Sequence, residues 1–183
     1  MLIALIIIVL LVVWIISIYN GLIKSRQKVD NAWSQIDVQL QRRFDLIPNF
    51  VETVKGYMTH ESETFEKITA LRTSWANSTT VEEKAKLDGE LSGALKTIMA
   101  VSENYPELKA NQNFSELSEE LRNTENKISF SRQFYNDSVT MYNTKLELFP
   151  SNIVAGMFNF QKRDLFATES EEARKNVKVD FNK

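Results

Sequence analysis

Residues 1–19 read MLIALIIIVLLVVWIISIY, without one Asp, Glu, Lys, Arg or His. About 18 apolar residues at 1.5 Å of helical rise each give roughly 27 Å, close to the ~30 Å hydrocarbon core of a bilayer. A run of that kind is an anchor or a cleaved signal peptide. A signal peptide carries a basic region before its apolar stretch and a small-x-small cleavage site after it. Here Met1 leads directly into the apolar run, and Ser17-Ile18-Tyr19-Asn20-Gly21 presents bulky residues where small ones are required. The chain has no cysteine and therefore no lipoprotein attachment site. The expectation is an uncleaved transmembrane anchor over 1–19.

The flanks choose an orientation. Lys24, Arg26 and Lys28 follow the anchor, with Arg42 and Arg43 further on, and no basic side chain precedes it. The bias of basic residues towards the cytoplasmic side predicts an N-terminus outside and a long C-terminal part in the cytoplasm. Trp14 and Tyr19 suit the interfacial belt, and the lack of cysteine fits a reducing compartment.

About 160 residues remain, enough for one domain with its own core. Lysine and arginine number 22 against 24 aspartates and glutamates, mixed throughout, for a net charge of −2. No basic stripe, RNA-binding signature or zinc-finger spacing is present, so nucleic acid is not an expected partner. The 5 glycines and 3 prolines act as punctuation between helices.

Leu22, Val29, Trp33, Ile36, Leu40 and Ile47 recur at alternating spacings of three and four, the seam of a packed helix. The pattern starts straight after the anchor and predicts one continuous helix, with Pro48 expected to kink it near Phe44–Asp45. Phe65, Ile68, Leu71 and Trp75 predict a second helix starting near Thr59–Ser62, with Thr59 as its cap. Thr80 with Glu83 forms a capping box for a third, running through Leu91 and Ile98 until Pro106 stops it near Tyr105. Asn113-Phe114-Ser115-Glu116 repeats that logic for a fourth, ended by Pro150. The predicted fold is all-α: an N-terminal transmembrane helix, then a coiled-coil-like antiparallel up-down four-helix bundle with two long helices. The predicted domains are the anchor at 1–19, the bundle at 20–166, and a mobile polar tail at 167–183.

Polar residues interrupt the long seams: Arg26 and Arg43 on the first helix, Glu125, Arg132 and Asn143 on the fourth. If residue 149 returns to the level of residue 20, facing positions sum to about 169 in an antiparallel pair. That register sets Glu125 against Arg43, Arg132 against Asp37, and Asn143 against Arg26. Half-buried charges must be paired, and such pairs mainly fix register. The competing reading is a polar ligand site, making the bundle a small-ligand or metal sensor. Tyr135-Asn136 recurs seven residues on as Tyr142-Asn143, read as rings in the core with polar tips at the rim. The segment from Phe149 to Phe166, with Met157, Phe158 and Phe160, is expected to close the bundle's base or to dip into the headgroup layer.

Chemistry-bearing constellations are missing. His60 is the single histidine, and a di-iron bundle needs two Glu-x-x-His pairs, so no metal is expected. There is no G-x-S-x-G, no Walker loop and no cysteine nucleophile, so neither catalysis nor a cofactor is expected.

Tyr19-Asn20, then AWSQIDVQLQRRFDLIPNFVETVKGYMTHE from Ala32 to Glu61, resembles the LemA family of bacterial membrane proteins. YPELKANQNF from Tyr105, YNDSVTMYN from Tyr135 and FPSNIVAGMFNF from Phe149 continue the resemblance in order over nearly the whole chain. The resemblance implies a single-pass anchor in a bacterial cell membrane and a helical bundle. It implies no established biochemical activity and carries over no catalytic residue. Magnetosome-associated relatives and links to membrane proteostasis imply organising roles at membranes. The expected function is an interaction or scaffold module whose partners are the lipid bilayer and a membrane or cytoplasmic protein, a second copy of the chain included.

Overall fold

The computed structural model describes residues 1–58 and 60–166. The chain is helical, with no strand among the described residues. The four long segments read from the periodicity are α1 (Leu2–Lys55), α2 (Ser62–Asn77), α3 (Val81–Ser102) and α5 (Gln112–Glu147). Two short helices join them: α4 (Pro106–Lys109) and α6 (Ser151–Met157). The described residues form two compact units, one built from 1–46 and 118–166, the other from 47–117.

The anchor and the first amphipathic helix are one element: the single Gly21 between Tyr19 and Leu22 weakens a helix without ending it, and no proline lies near. Helical backbone also continues through Pro48, although proline has no N–H to contribute to the helix. The apolar start of α1 is long enough to cross a membrane, and none of its residues is fully buried by the rest of the chain. In the first unit, residues 20–46 of α1 pair antiparallel with α5. Leu22, Val29, Ile36 and Leu40 bury against a seven-residue series in α5 of Leu121, Ile128, Tyr135 and Tyr142. Beyond α5, α6 lays Val154 and Ala155 on Leu22, with Ile15, Ile18 and Leu146 packed around them.

In the second unit, α2 and α3 pack together through Phe65, Ile68, Leu71, Leu91 and Ile98, joined by the turn 78–80. The capping box is formed: the Thr80 hydroxyl accepts from the Glu83 N–H, and the Glu83 carboxylate accepts from the Thr80 N–H. Those bonds, the Thr80 backbone first, hold the Glu83 carboxyl below the usual carboxylate range.

Three expected boundaries are corrected. α3 ends at Ser102, and Pro106 opens α4 instead of stopping α3, because proline's missing donor costs nothing in a first turn. The cap of α5 is Asn111, whose Oδ1 accepts from the Phe114 N–H at 3.1 Å; Asn113 is already inside the helix. Asn111 also donates to the Tyr57 hydroxyl, which explains why it outcompetes Asn113. α2 has Glu61 at its N-cap with no side-chain cap bond, while Thr59, the expected cap, lies outside the described residues. So does the expected tail at 167–183.

Candidate functional site

The α1–α5 pair of the first unit gathers most of the polar residues that interrupt the seams. Arg43 is 1% exposed, yet its Nη2 donates to Glu125 Oε2 at 3.1 Å. Arg42 pairs with Glu120 beside it, and Lys145 Nζ donates to the buried Ser25 hydroxyl at 2.6 Å, the hydroxyl passing on to the Gly21 carbonyl. Trp33 and Tyr135 bring their rings to 5.7 Å. The residue numbers of the Arg43–Glu125 and Trp33–Tyr135 contacts sum to 168 in both cases, one residue from the register read off the sequence. Asp37 and Arg132 are both half-buried.

Asn143 does not meet Arg26. Its amide reads a backbone instead: Oδ1 accepts from the Arg163 N–H at 3.0 Å and Nδ2 donates to the Arg163 carbonyl at 2.9 Å. One heptad earlier, Asn136 does the same to Phe166, at 2.8 Å and 3.2 Å. The tyrosines alternate with these amides. Tyr142 donates to the Gln161 carbonyl at 3.0 Å and Tyr135 to the Asp164 carbonyl at 2.8 Å. Two Tyr-Asn pairs thus clamp one extended strap, residues 160–166, running antiparallel to α5.

The spacing explains the fit. Seven helical residues rise about 10.5 Å, and three extended residues cover about 10 Å, so a heptad on α5 matches a triplet on the strap. The match holds for both pairs of contacts, residues 161 and 164 on the tyrosines, 163 and 166 on the asparagines. Desolvation pushes the phenol groups of Tyr135 and Tyr142 up from their ordinary range, which keeps both as donors. The strap is tied to α1 by Arg163, whose Nη2 donates to Asp30 at 2.8 Å, and by Phe166, buried beside Trp33.

A Schellman turn launches the strap. The Phe160 N–H bonds the Ala155 carbonyl, the Asn159 N–H bonds the Gly156 carbonyl, and Asn159 takes the left-handed φ of 53°. Arg26, released from its expected partner, lays its guanidinium 5.5 Å from the Phe160 ring centre.

Another face of the same helix pair is open. Phe130 (75% exposed), Phe134 (54%), Met141 and Val38 present large apolar side chains there. Two shallow grooves of about 500 Å³ and 340 Å³ run beside them, the first lined by Val38, Gln39 and Phe130, the second by Gln35, Phe134 and Met141. Neither groove is lined by Arg26 or Arg132. Among the described residues, no group of three or more His, Cys, Asp or Glu side chains is placed to hold a metal ion.

Sequence reasoning identified the Tyr-Asn repeat but not its use, because the strap answers with backbone atoms that every sequence possesses. The only signal was the repeat itself: two amides one heptad apart on a buried margin need partners.

Comparison with known proteins matches residues 32–181 to the LemA family model. The chain is 30% identical over 168 residues to Protein LemA of Metamycoplasma hominis, covering 89% of this chain and 73% of that protein. It is 22% identical over 174 residues to Magnetosome protein MamQ 2 of Paramagnetospirillum magneticum, covering 81% of this chain and 64% of that protein. A 21% identical relative is Magnetosome protein MamQ of Magnetospirillum gryphiswaldense, also covered over 64% of its length. With its apolar N-terminal helix and all-helical architecture, the chain belongs to the LemA family as a helical, membrane-associated member.

Proposed function

We propose that this chain is a membrane-anchored, non-catalytic interaction module, its body held in the cytoplasm by a single uncleaved stem and its α1–α5 pair serving as the docking face. The observation that carries this reading is the exposed ridge of Phe130, Phe134, Met141 and Val38 beside two open grooves. Scattered exposed hydrophobics are ordinary, but a run of them on one face marks a surface that meets another molecule. The polar groups that a ligand sensor would use are engaged within the chain: Arg43 by Glu125, Asn143 by the strap. The relatives' printed names tie them to a magnetosome and not to a substrate, which fits a module that holds rather than transforms. Lys24, Arg26 and Lys28, all exposed just past the stem, support the cytoplasmic assignment.

Photo-crosslinking residues placed singly at Phe130, Phe134 and, as a control, the exposed Lys86 test the docking face in intact membranes. Discrete adducts at the two ridge positions and none at the control are expected. An adduct at twice the monomer mass would identify a second copy as the partner. Ridge positions no more reactive than Lys86 would contradict the reading.

A further inference from the structure

We propose that α6 and its flanks form an interfacial foot, lodged in the headgroup and outer acyl layer of the same bilayer that the stem crosses. The proposal rests on the stem spanning the membrane, and adds a second lipid contact made by the body.

The stretch from Leu148 to Phe160 reads LFPSNIVAGMFNF, with no ionisable side chain, in a chain where charged residues make up 25%. α6 is apolar on both of its faces. Val154 and Ala155 face inward onto Leu22. Outward, Ile153 is 54% exposed and Met157 67%, flanked by Phe149 at 78% and by Leu148 and Phe158. Beyond its first two residues, Ser151 and Asn152, the helix carries apolar side chains outward as well as inward, and the five exposed ones fall within eleven residues, which suits an apolar surrounding.

The occupant is named by what α6 is packed upon. Ile15 and Ile18, which press against the α6 cluster, belong to the final turns of the stem, and Leu22 lies three residues past Tyr19. Three residues rise about 4.5 Å. The polar layer on each side of the hydrocarbon core is roughly 5–7 Å thick. Docked at Leu22, α6 therefore lies at headgroup depth. The Tyr19 ring sits tilted against Phe158 at 4.7 Å and edge-on to Phe160 at 5.7 Å, an aromatic group of the kind that favours this layer. Lys24 and Lys28 are exposed immediately beyond, where anionic phosphates would meet them. The surface fits an anionic lipid bilayer.

Single cysteines can be introduced into the full chain, which has none of its own. Spin labels at Ile153, Met157 and Phe149 report the foot, Ile8 reports the stem, and the exposed Asn123 reports water. The protein is reconstituted into vesicles of phosphatidylglycerol and phosphatidylcholine. Power saturation then compares oxygen, which partitions into lipid, with a water-soluble nickel chelate. Expected is an oxygen-to-nickel accessibility ratio several-fold above that at Asn123 for the foot positions, though below that at Ile8. Foot labels as open to nickel as Asn123, with Ile8 shielded, would overturn the foot and leave the stem standing. Foot labels shielded from both reagents and broadened by one another would overturn it in favour of a second copy of the chain. Nickel access at Ile8 would remove the stem and the foot together.

Discussion

At the residue scale, the Arg43–Glu125 contact and the paired asparagines do different work. The guanidinium of Arg43 is 1% exposed while the Glu125 side chain keeps 38%, so the pair is buried at one end and wet at the other. Truncation of Arg43 removes a large buried side chain and frees a half-desolvated carboxylate. Arg43→Ala is therefore expected to cost about 2–4 kcal/mol, against about 0.5 or less for the exposed Lys67→Ala. Chemical unfolding in detergent measures both. Replacing the pair by Met and Leu should recover most of the loss, since apolar groups of similar volume stand in well for buried ion pairs. A double-mutant cycle without coupling would mean the contact is incidental. This pair was readable from seam positions and register alone, because both partners are side chains. Asn143 was not: its position predicted Arg26, but an amide that can satisfy a peptide N–H and C=O together prefers the backbone of Arg163. Hydrogen exchange should show the Arg163 and Phe166 amides slower than those of Lys162 and Leu165. Asn143→Ala should release Arg163 selectively, and unchanged protection would show that burial alone holds the strap.

At the element scale, long periodic helices and the Thr80–Glu83 box were legible, whereas α4 and α6 were not. Four and seven residues are too few to display a helical period, and α6 is apolar on both faces, which erases amphipathic contrast. The strap has no period either; its conformation is imposed by α5. That dependence gives it a pH response. Burial raises the Tyr135 and Tyr142 phenols, so at alkaline pH the unfolded chain loses its protons first. The stability they contribute is intact below the ordinary tyrosine value of about 10 and falls as pH rises through the raised folded values. The tyrosinate absorbance of the intact chain should include a late-rising component that the double change Tyr135→Phe, Tyr142→Phe diminishes. The same double variant should lose about 1 kcal/mol per hydroxyl at neutral pH. A double variant that titrates like the parent would place those hydroxyls in water.

At the scale of the whole molecule, a lipid-length stem leads into a helix pair with one clamped face and one open face. The stem was plain in the first nineteen residues, because an exposed, uninterrupted apolar run of bilayer length suits lipid and not water. The open face was not plain: Phe130, Phe134 and Met141 lie off the predicted seam, and the structure shows that α5 spends its other positions on the core and the strap. The proposed function sets the body on the cytoplasmic side, a reading that rests on the basic cluster after Tyr19. Single cysteines at the exposed Asn77 and Asn123, one in each compact unit, report that side directly. With an impermeant thiol reagent on intact cells, no labelling is expected at either position, and full labelling after permeabilisation. Labelling of both in intact cells would place the body outside and contradict the cytoplasmic reading.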